Sequence, residues 1–306
     1  MTDVVCLGIL VADVLVHPVD GAPRGRLALV EDVVLRGGGC ALNTSTVLAR
    51  LGLSAAAAGK VGADPFGDFL LGLLDERGID RTRVLRDPEV PTSATVVLVG
   101  SDGERTFLHA SGANGALRAD ELDLESLYAA RALHAAGALV LPALDGEPLA
   151  ELLAGARERG LLTSLDPVWD ATGGWERVLP SLPYLDVATP SLEEGRAISG
   201  ERAPADVARW LRARGVRTVA LTMGADGCYV AGDGFEGRLE AVPVLAVDGT
   251  GAGDAFAAAL LYGLLEGWPL ERAARLANSA GALATTAYGA SEGVGDLEQT
   301  LALGGA

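Results

Sequence analysis

The sequence has little with which to grip a nucleic acid, a membrane or a transition metal. Lysine and arginine together number 24 of 306 residues against 41 aspartates and glutamates, a formal charge of −17. That balance supplies no basic field for nucleic acid or an anionic membrane, although a local patch can still hold a small anion. No run of eighteen apolar residues goes uninterrupted, which leaves no candidate for a membrane-spanning helix. The first ten residues are apolar but have no basic leader, and Asp13 breaks the run soon after, so they read as a core strand rather than a signal peptide. Only three histidines are present, His17, His109 and His134, and none forms an HExxH pair. Three scattered cysteines, Cys6, Cys40 and Cys228, form no CxxC, so a His/Cys metal centre has little support. Free thiols in a reducing cytoplasm are the expectation.

What the chain has is apolar bulk and glycine. Apolar residues make up 49% and charged residues 21%, enough for one large α/β core. Residues 4–8 read as a first strand, 40–51 as a helix packed on a sheet, 54–59 as a strand and 66–76 as a helix with apolar residues at three-and-four spacing. Beyond residue 120 strands and helices alternate: strands at 138–141, 161–165, 185–188 and 218–222, helices at 147–158, from 192, and over 204–214. That rhythm predicts a mainly parallel sheet covered by helices. Residues 228–231 and 239–244 read as antiparallel edge strands, and 251–265 and 270–284 as helices. No fixed-period repeat or long linker is present, so residues 1–306 are expected to form a single domain. Two β-rich insertions, 14–35 and 84–108, are expected to form a small lid. Within them Pro18, Gly21, Pro23 and Gly25 break up the first, and Gly103 suits a left-handed turn between strands at 94–99 and 105–108.

The sharpest local signal is Val247-Asp248-Gly249-Thr250-Gly251-Ala252-Gly253-Asp254-Ala255-Phe256. Three glycines in five positions let backbone N–H groups converge, and the apolar stretch that follows starts a helix that should be buried all round. A helix N-terminus with free N–H groups is an anion site, above all for phosphate oxygens. Asp254 would repel such an anion unless it faces the nucleophile and accepts a hydroxyl proton. Taken alone, the stretch also fits a tight turn with a helix cap. Two conventional phosphate loops are excluded: Gly59-Lys60-Val61 lacks the rest of a Walker A loop, and no GxGxxG follows the first strand.

At these residues the chain resembles the ribokinase-like carbohydrate kinases of the pfkB type. Asp248–Phe256 is similar to that family's C-terminal signature DTxGAGDxF, with Gly249 where threonine is commoner. Gly38-Gly39-Cys40-Ala41-Leu42-Asn43 resembles its GGxxxN, and Gly59 to Gly67 resembles its GxVGxDxFG. Gly112-Ala113-Asn114, Asp166-Pro167, Leu221 to Gly227 and Asn278 follow in family order, so the resemblance spans about residues 4 to 290. It implies a ribokinase-like fold, a Rossmann-like, mainly parallel α/β sheet with a small β lid, and transfer of the γ-phosphoryl group of ATP to a substrate hydroxyl. It further implies Asp254 as catalytic base and an anion hole from the N–H groups of Gly251, Ala252 and Gly253. Asp13, Gly38, Gly39, Asn43, His109 and Asn114 would face the substrate. Thr222, Gly224, Gly227, Thr250 and Asn278 would face the nucleotide. Glu194, in a segment similar to the family's PNxxE but with Ser191 in place of asparagine, would hold Mg²⁺ through water. Asp248 would join a monovalent-cation (K⁺) site of the kind some members have. Without the resemblance, Asp13 also reads as a turn cap and Asn43 as a helix cap.

The acceptor is expected to be a small uncharged sugar or polyol, because basic residues other than Arg105 do not cluster at the matching positions. Trp169 and Trp175 either wall the pocket or pack the segment 175–179. An aromatic wall would suit a nucleoside kinase of the same superfamily. A non-catalytic sugar or nucleotide sensor is the reading from another class, and an intact Asp254 argues against it. A homodimer through the lid is the expected assembly.

Overall fold

Two sheets organise the chain in the computed structural model, which describes residues 2–21, 25–102 and 104–304. Strands and helices are numbered in chain order. The large sheet runs β13-β12-β11-β10-β9-β8-β1-β4-β5. Its parallel part comprises β1 (Thr2–Gly8), β4 (Ala55–Gly62), β5 (Asp80–Asp87), β8 (Ala130–Ala138), β9 (Leu162–Pro167), β10 (Val187–Ala188) and β11 (Thr218–Thr222). β12 (Cys228–Gly232) and β13 (Phe235–Leu239) close one edge antiparallel. The parallel strands are apolar on both faces because helices cover both. In β1, Val4 and Cys6 pack with α1 (Cys40–Arg50), α2 (Pro65–Glu76), α6 (Ala252–Leu265) and α7 (Leu270–Ala284). Val5 and Leu7 pack on the other side with α3 (Glu147–Glu158) and α5 (Pro204–Arg212). Between these last two lies α4 (Leu192–Ser199), and α8 (Leu297–Gly304) ends the chain against α7. This is the α/β architecture expected from the alternating pattern.

The smaller lid sheet has the order β3-β2-β6-β7, from β2 (Val11–His17), β3 (Asp32–Gly38), β6 (Ala94–Val99) and β7 (Arg105–Ala110). Residues directly opposite one another in paired strands share a face. Register therefore puts Arg36, Asp13, Thr95 and His109 in one row, Val34, Leu15, Val97 and Phe107 in the next, and Asp32, His17, Val99 and Arg105 in a third. The three rows share one face of the lid.

Three expectations need correction. Residues 84–86 belong to β5 and pair with β4, so this start of the expected lid insertion lies in the large sheet. The strand expected at 138–141 is β8, eight residues earlier at its start; its alanine-rich sequence shows little strand preference by itself, and only pairing with β1 and β9 makes it one. The last edge strand is β13 rather than 239–244. Its register is set by the tight turn at Gly234 (φ 86), while Pro243 has no N–H for a ladder. The turn expected at Gly103 and the break at Pro23 lie outside the described residues. Among the described residues, no helix is long and apolar enough to cross a membrane.

Candidate active site

The site forms where β1 leaves the large sheet for the lid and where α1 and α6 begin. Gly39 caps α1 at φ 92, and a Cβ there would stand 2.4 Å from the Ile9 carbonyl oxygen. Only glycine combines that left-handed backbone with so close an approach. At Gly38 the constraint is a side chain: a Cβ would lie 2.1 Å from Asp13 Oδ2. Asp13 is thereby held against the mouth of α1, and burial pushes its pKa up to about 6 despite a hydrogen bond with Thr95. Thr95 Oγ1 also lies 3.0 Å from His109 Nδ1, which links the three side chains along one row of the lid.

One turn into α1, Asn43 Nδ2 donates to Asp254 Oδ2 at 2.8 Å. Its Oδ1 is buried with no partner among the described residues, an acceptor open to a substrate hydroxyl. Asp254 sits in the first turn of α6, buried. Burial pushes its carboxyl above the usual range, while hydrogen bonds from Asn43 and the Cys40 thiol oppose the shift. Before it, Gly251 caps α6 in the left-handed region (φ 74, ψ 3), where a Cβ would stand 2.1 Å from the Ala290 carbonyl oxygen. Gly253 differs: a Cβ there would meet nothing within 4 Å. The helix start thus presents bare backbone to open space, with first-turn N–H groups that have no helical acceptor. Ala252 N–H leans toward Gly249 O at 3.3 Å.

The 248–254 loop separates two cavities. On one side about 710 Å³ opens beneath the lid, lined by Asp13, Thr95, Phe107, Arg105, Asp248 and Thr250 among others. On the other, about 420 Å³ is lined by Thr222, Gly224, Gly227, Asn278, Gly249 and Gly253 among others. Asp254 and Asn43 stand behind this partition.

Three carboxylates converge behind the loop. Asp166, at the carboxyl end of β9, is buried and receives Thr189 Oγ1 at 2.8 Å. Burial, then the Asp254 and Glu194 charges, push it well above the usual range. Its carboxylate, that of Asp254 and the Cys40 sulfur lie within 4.8 Å of one another. Glu194 closes a capping box with Ser191, accepting from Ser191 N at 2.8 Å through Oε2 while Ser191 Oγ accepts from Glu194 N at 3.2 Å. Serine in place of asparagine thus still caps α4. Like charges crowded out of water favour a cation among them.

Comparison with known proteins decides the family. A model described as pfkB family carbohydrate kinase matches residues 1–296. The chain belongs to the pfkB family of carbohydrate kinases. It is similar to probable fructokinase-2 of Arabidopsis thaliana, 31% identical over 269 residues, 83% of this chain and 82% of that one. Its likeness to the 2-dehydro-3-deoxygluconokinase of Bacillus subtilis (strain 168) is 30% over 269 residues, 84% and 82%. Among solved structures, Arabidopsis thaliana ribokinase complexed with ribose and ATP superposes with a TM-score of 0.84 at 23% identity, covering 99% of each chain.

In this pfkB-family chain most of the residues picked from sequence converge, but not all in the expected way. Asn114 is spent on the backbone: its Nδ2 donates to Leu10 O at 2.9 Å and its Oδ1 accepts from Leu10 N at 3.1 Å, pinning the link between β1 and the lid. Thr250, expected on the nucleotide side, lines the lid-side cavity instead, because Asp248 Oδ1 accepts from its N at 2.9 Å and its Oγ1 at 2.7 Å and turns it there. Asn278 Nδ2 donates to Glu240 O at 2.6 Å, holding the loop that roofs the second cavity. Trp169 and Trp175 stack edge to face at 5.1 Å, and neither lines either cavity. Sequence reasoning passed over Thr95, Cys40 and Asp166 as site residues. For Asp166 the available signal was an aspartate at the carboxyl end of a parallel strand, where ligands gather in open α/β sheets.

Proposed function

We propose that the protein transfers the γ-phosphoryl group of ATP to a hydroxyl of a small uncharged sugar or polyol. The observation that carries this reading is the partition: one glycine loop with a buried aspartate behind it divides a cavity under the lid, where Asp13, Thr95, Arg105 and Asp248 stand among Leu15, Val97 and Phe107, from a cavity at the strand ends. The lid-side cavity suits a polyol, with Asp13 to accept hydroxyl protons and the open Asn43 Oδ1 beside the acceptor. Of the two arginines that line it, Arg105 is paired with Asp248 and Arg36 is exposed on the edge strand β3, so neither is set deep in the cavity as a clamp for an acid or phosphate group. The other cavity, walled by Gly224, Gly227, Ala241, Val244 and Ala282, suits a flat base held by packing.

Asp254 takes the proton of the attacking hydroxyl, and the burial that raises its carboxyl makes the carboxylate a stronger base for that step. Asn43 fixes the carboxylate, and the N–H groups at the head of α6, from Gly251 and Gly253 above all, meet the charge that develops on the transferring group. Asp166 and Glu194 fit a magnesium ion held largely through water; bound there, it would offset phosphate charge. Asp248 does not fit a monovalent cation, because its Oδ1 already takes three donors and its Oδ2 takes Gly289 N at 3.2 Å.

A second copy of the chain is the partner we assign to the outer lid face, where Val33 and Leu108 are about 60% exposed, and the segment leading into β3 adds Leu27 and Leu29 at 88% and 89%. A monomer in sedimentation at micromolar concentration would remove this assignment. The three unbonded cysteines suit a reducing cytoplasm.

The test is ADP release from Mg²⁺-ATP across neutral pentoses and hexoses, keto-deoxy acids and nucleosides. Turnover with a neutral sugar supports the reading. Turnover confined to acids or nucleosides replaces the acceptor class, and no turnover with any of them makes the chain a binder.

A further inference from the structure

Arg105 joins the lid sheet to the loop in which the anion hole begins. It opens β7, and its Nη1 donates to Asp248 Oδ1 at 2.6 Å and to Thr250 Oγ1 at 3.0 Å. The pair is sheltered, with side chains 21% and 4% exposed. Among the described residues, it is the ion pair that links the lid strands to the 248–254 loop. Both of its ends are themselves held. The hairpin carrying Arg105 is closed by Gly100 N donating to Glu104 O at 2.8 Å and tied to Asp20 by Ser101 N at 2.7 Å. On the other side, Val247 N and Asp248 N donate to Thr285 O at 2.7 and 3.0 Å.

We propose that Arg105 is a positioning residue for phosphoryl transfer, holding the Asp248–Thr250 turn from the lid side so that the amides at the head of α6 keep their aim. The proposal rests on the kinase reading of the site. Two physical effects act together. Asp248 stands six residues before Asp254, and unpaired it would set a buried negative charge beside the incoming phosphoryl group. The guanidinium cancels that charge. The two N–H groups of its Nη1 also hold a carboxylate and a hydroxyl at once, which fixes the turn leading into Gly251. The lid is thereby part of the anion hole as well as a cover over the acceptor.

Arg105→Ala, Arg105→Lys, Asp248→Asn and the Arg105→Ala/Asp248→Asn double variant test this, each checked for its melting temperature. Arg105→Ala is expected to lower kcat about tenfold to hundredfold while the sugar KM moves less than about threefold. Guanidinium ion at non-denaturing concentration is expected to restore part of kcat, with sodium chloride of equal ionic strength failing to do so. The double variant should be no slower than Arg105→Ala, since removing Asp248 also removes the stranded charge. Amide hydrogen exchange over 249–254 should rise in Arg105→Ala without any substrate present. If Arg105→Ala does not fold, Arg105→Lys carries the test, with a smaller loss of kcat and the same rise in exchange. A kcat within about threefold of the parent, or a raised sugar KM at unchanged kcat, overturns the proposal. Unchanged exchange over 249–254 also overturns it, whatever the activity, whereas a parent protein that releases no ADP with any acceptor would sink the kinase reading and leave the exchange result to judge Arg105.

Discussion

The two cavities that meet at the 248–254 loop are built on opposite plans. Beneath the lid the wall is made of side chains in register: Asp13 and Thr95 in one row, Leu15, Val97 and Phe107 in the next, with Arg105 reaching across to Asp248. Beyond the loop the wall is glycine, alanine, valine and proline with Phe256, and Thr222, Thr285 and Asn278 are its polar side chains. The first plan suits a pattern of hydroxyls, because its polar side chains offer acceptors and donors at set positions among apolar ones. The second reads shape and leaves polar recognition to backbone. Acceptor choice should therefore respond sharply to single substitutions, and donor binding should respond mainly to changes that fill space or loosen a wall.

The partition itself should be the most sensitive place. Asp254→Asn keeps the size and the contact with Asn43 but cannot take a proton. We expect kcat to fall by about a thousandfold or more while ATP affinity changes little. Turnover in the two proteins within tenfold would remove Asp254 as the base. In the parent, the acid limb of kcat should lie above the ordinary aspartate range, because burial raises this carboxyl and activity is lost as it is protonated. Next in size is a pair of glycine variants that separates function from folding. Gly253→Ala adds a methyl group to open space in the first turn of a helix, which costs no stability, yet the methyl group points where phosphate should sit. A loss of about a hundredfold in kcat/KM for ATP at an unchanged melting temperature is expected. Gly251→Ala should lose stability as well, through its left-handed backbone and the Ala290 oxygen. Equal melting temperatures for these two variants would contradict the geometry.

The same division explains what was legible in the sequence. The glycine loop could be read because its physics is local: a left-handed residue at Gly251, a helix behind it and an aspartate in its first turn all lie within a few positions. The lid-side wall was less legible because it depends on register between strands far apart in the chain. Thr95 becomes a site residue only when β6 pairs with β2 so that it stands opposite Asp13. Asp166 and Cys40 come together from β9 and α1, which no short pattern reports. The strand at Ala130–Ala138 was mistimed for the same reason: its alanines become a strand through their neighbours. Thr250 was assigned to the wrong side because the turn at Asp248, not the spacing of the motif, directs its side chain.

A smaller effect is expected at Asp13. Its pKa in the folded chain, about 6, lies above its ordinary value of 3.8, so the native state holds an extra proton between those limits. Stability contributed by that proton is full below the lower limit and is lost as pH rises through about 6. Asp13→Asn removes the penalty and should raise the melting temperature at pH 7 by a few degrees, with no gain below pH 4, given a screened contribution of about 1–2 kcal/mol. The sugar KM should rise about tenfold in the same variant, and in the parent it should rise as pH falls below about 6. A variant that is less stable at pH 7 yet binds sugar normally would show that Asp13 serves the fold instead.

The smallest predicted effect falls on the shape-reading side, and it checks that the two plans are separate. Asn278 reaches Glu240 O at 2.6 Å from α7, and Glu240 begins the stretch whose Ala241, Val242, Pro243 and Val244 wall the donor cavity. Pro243 lacks an N–H, and β13 ends at Leu239, so no sheet ladder holds this stretch. The asparagine is its tether to the helix below. Replacing it with alanine removes one hydrogen bond, worth about 1 kcal/mol or roughly fivefold in ATP KM. Because the tether touches neither Asp254 nor the lid rows, kcat and the sugar KM should stay within about twofold. Asn278→Asp should be worse than alanine for ATP alone, since its carboxylate would face the Glu240 carbonyl oxygen in place of a donor. If either change moved the sugar KM as much as the ATP KM, the loop would be coupling the cavities rather than dividing them.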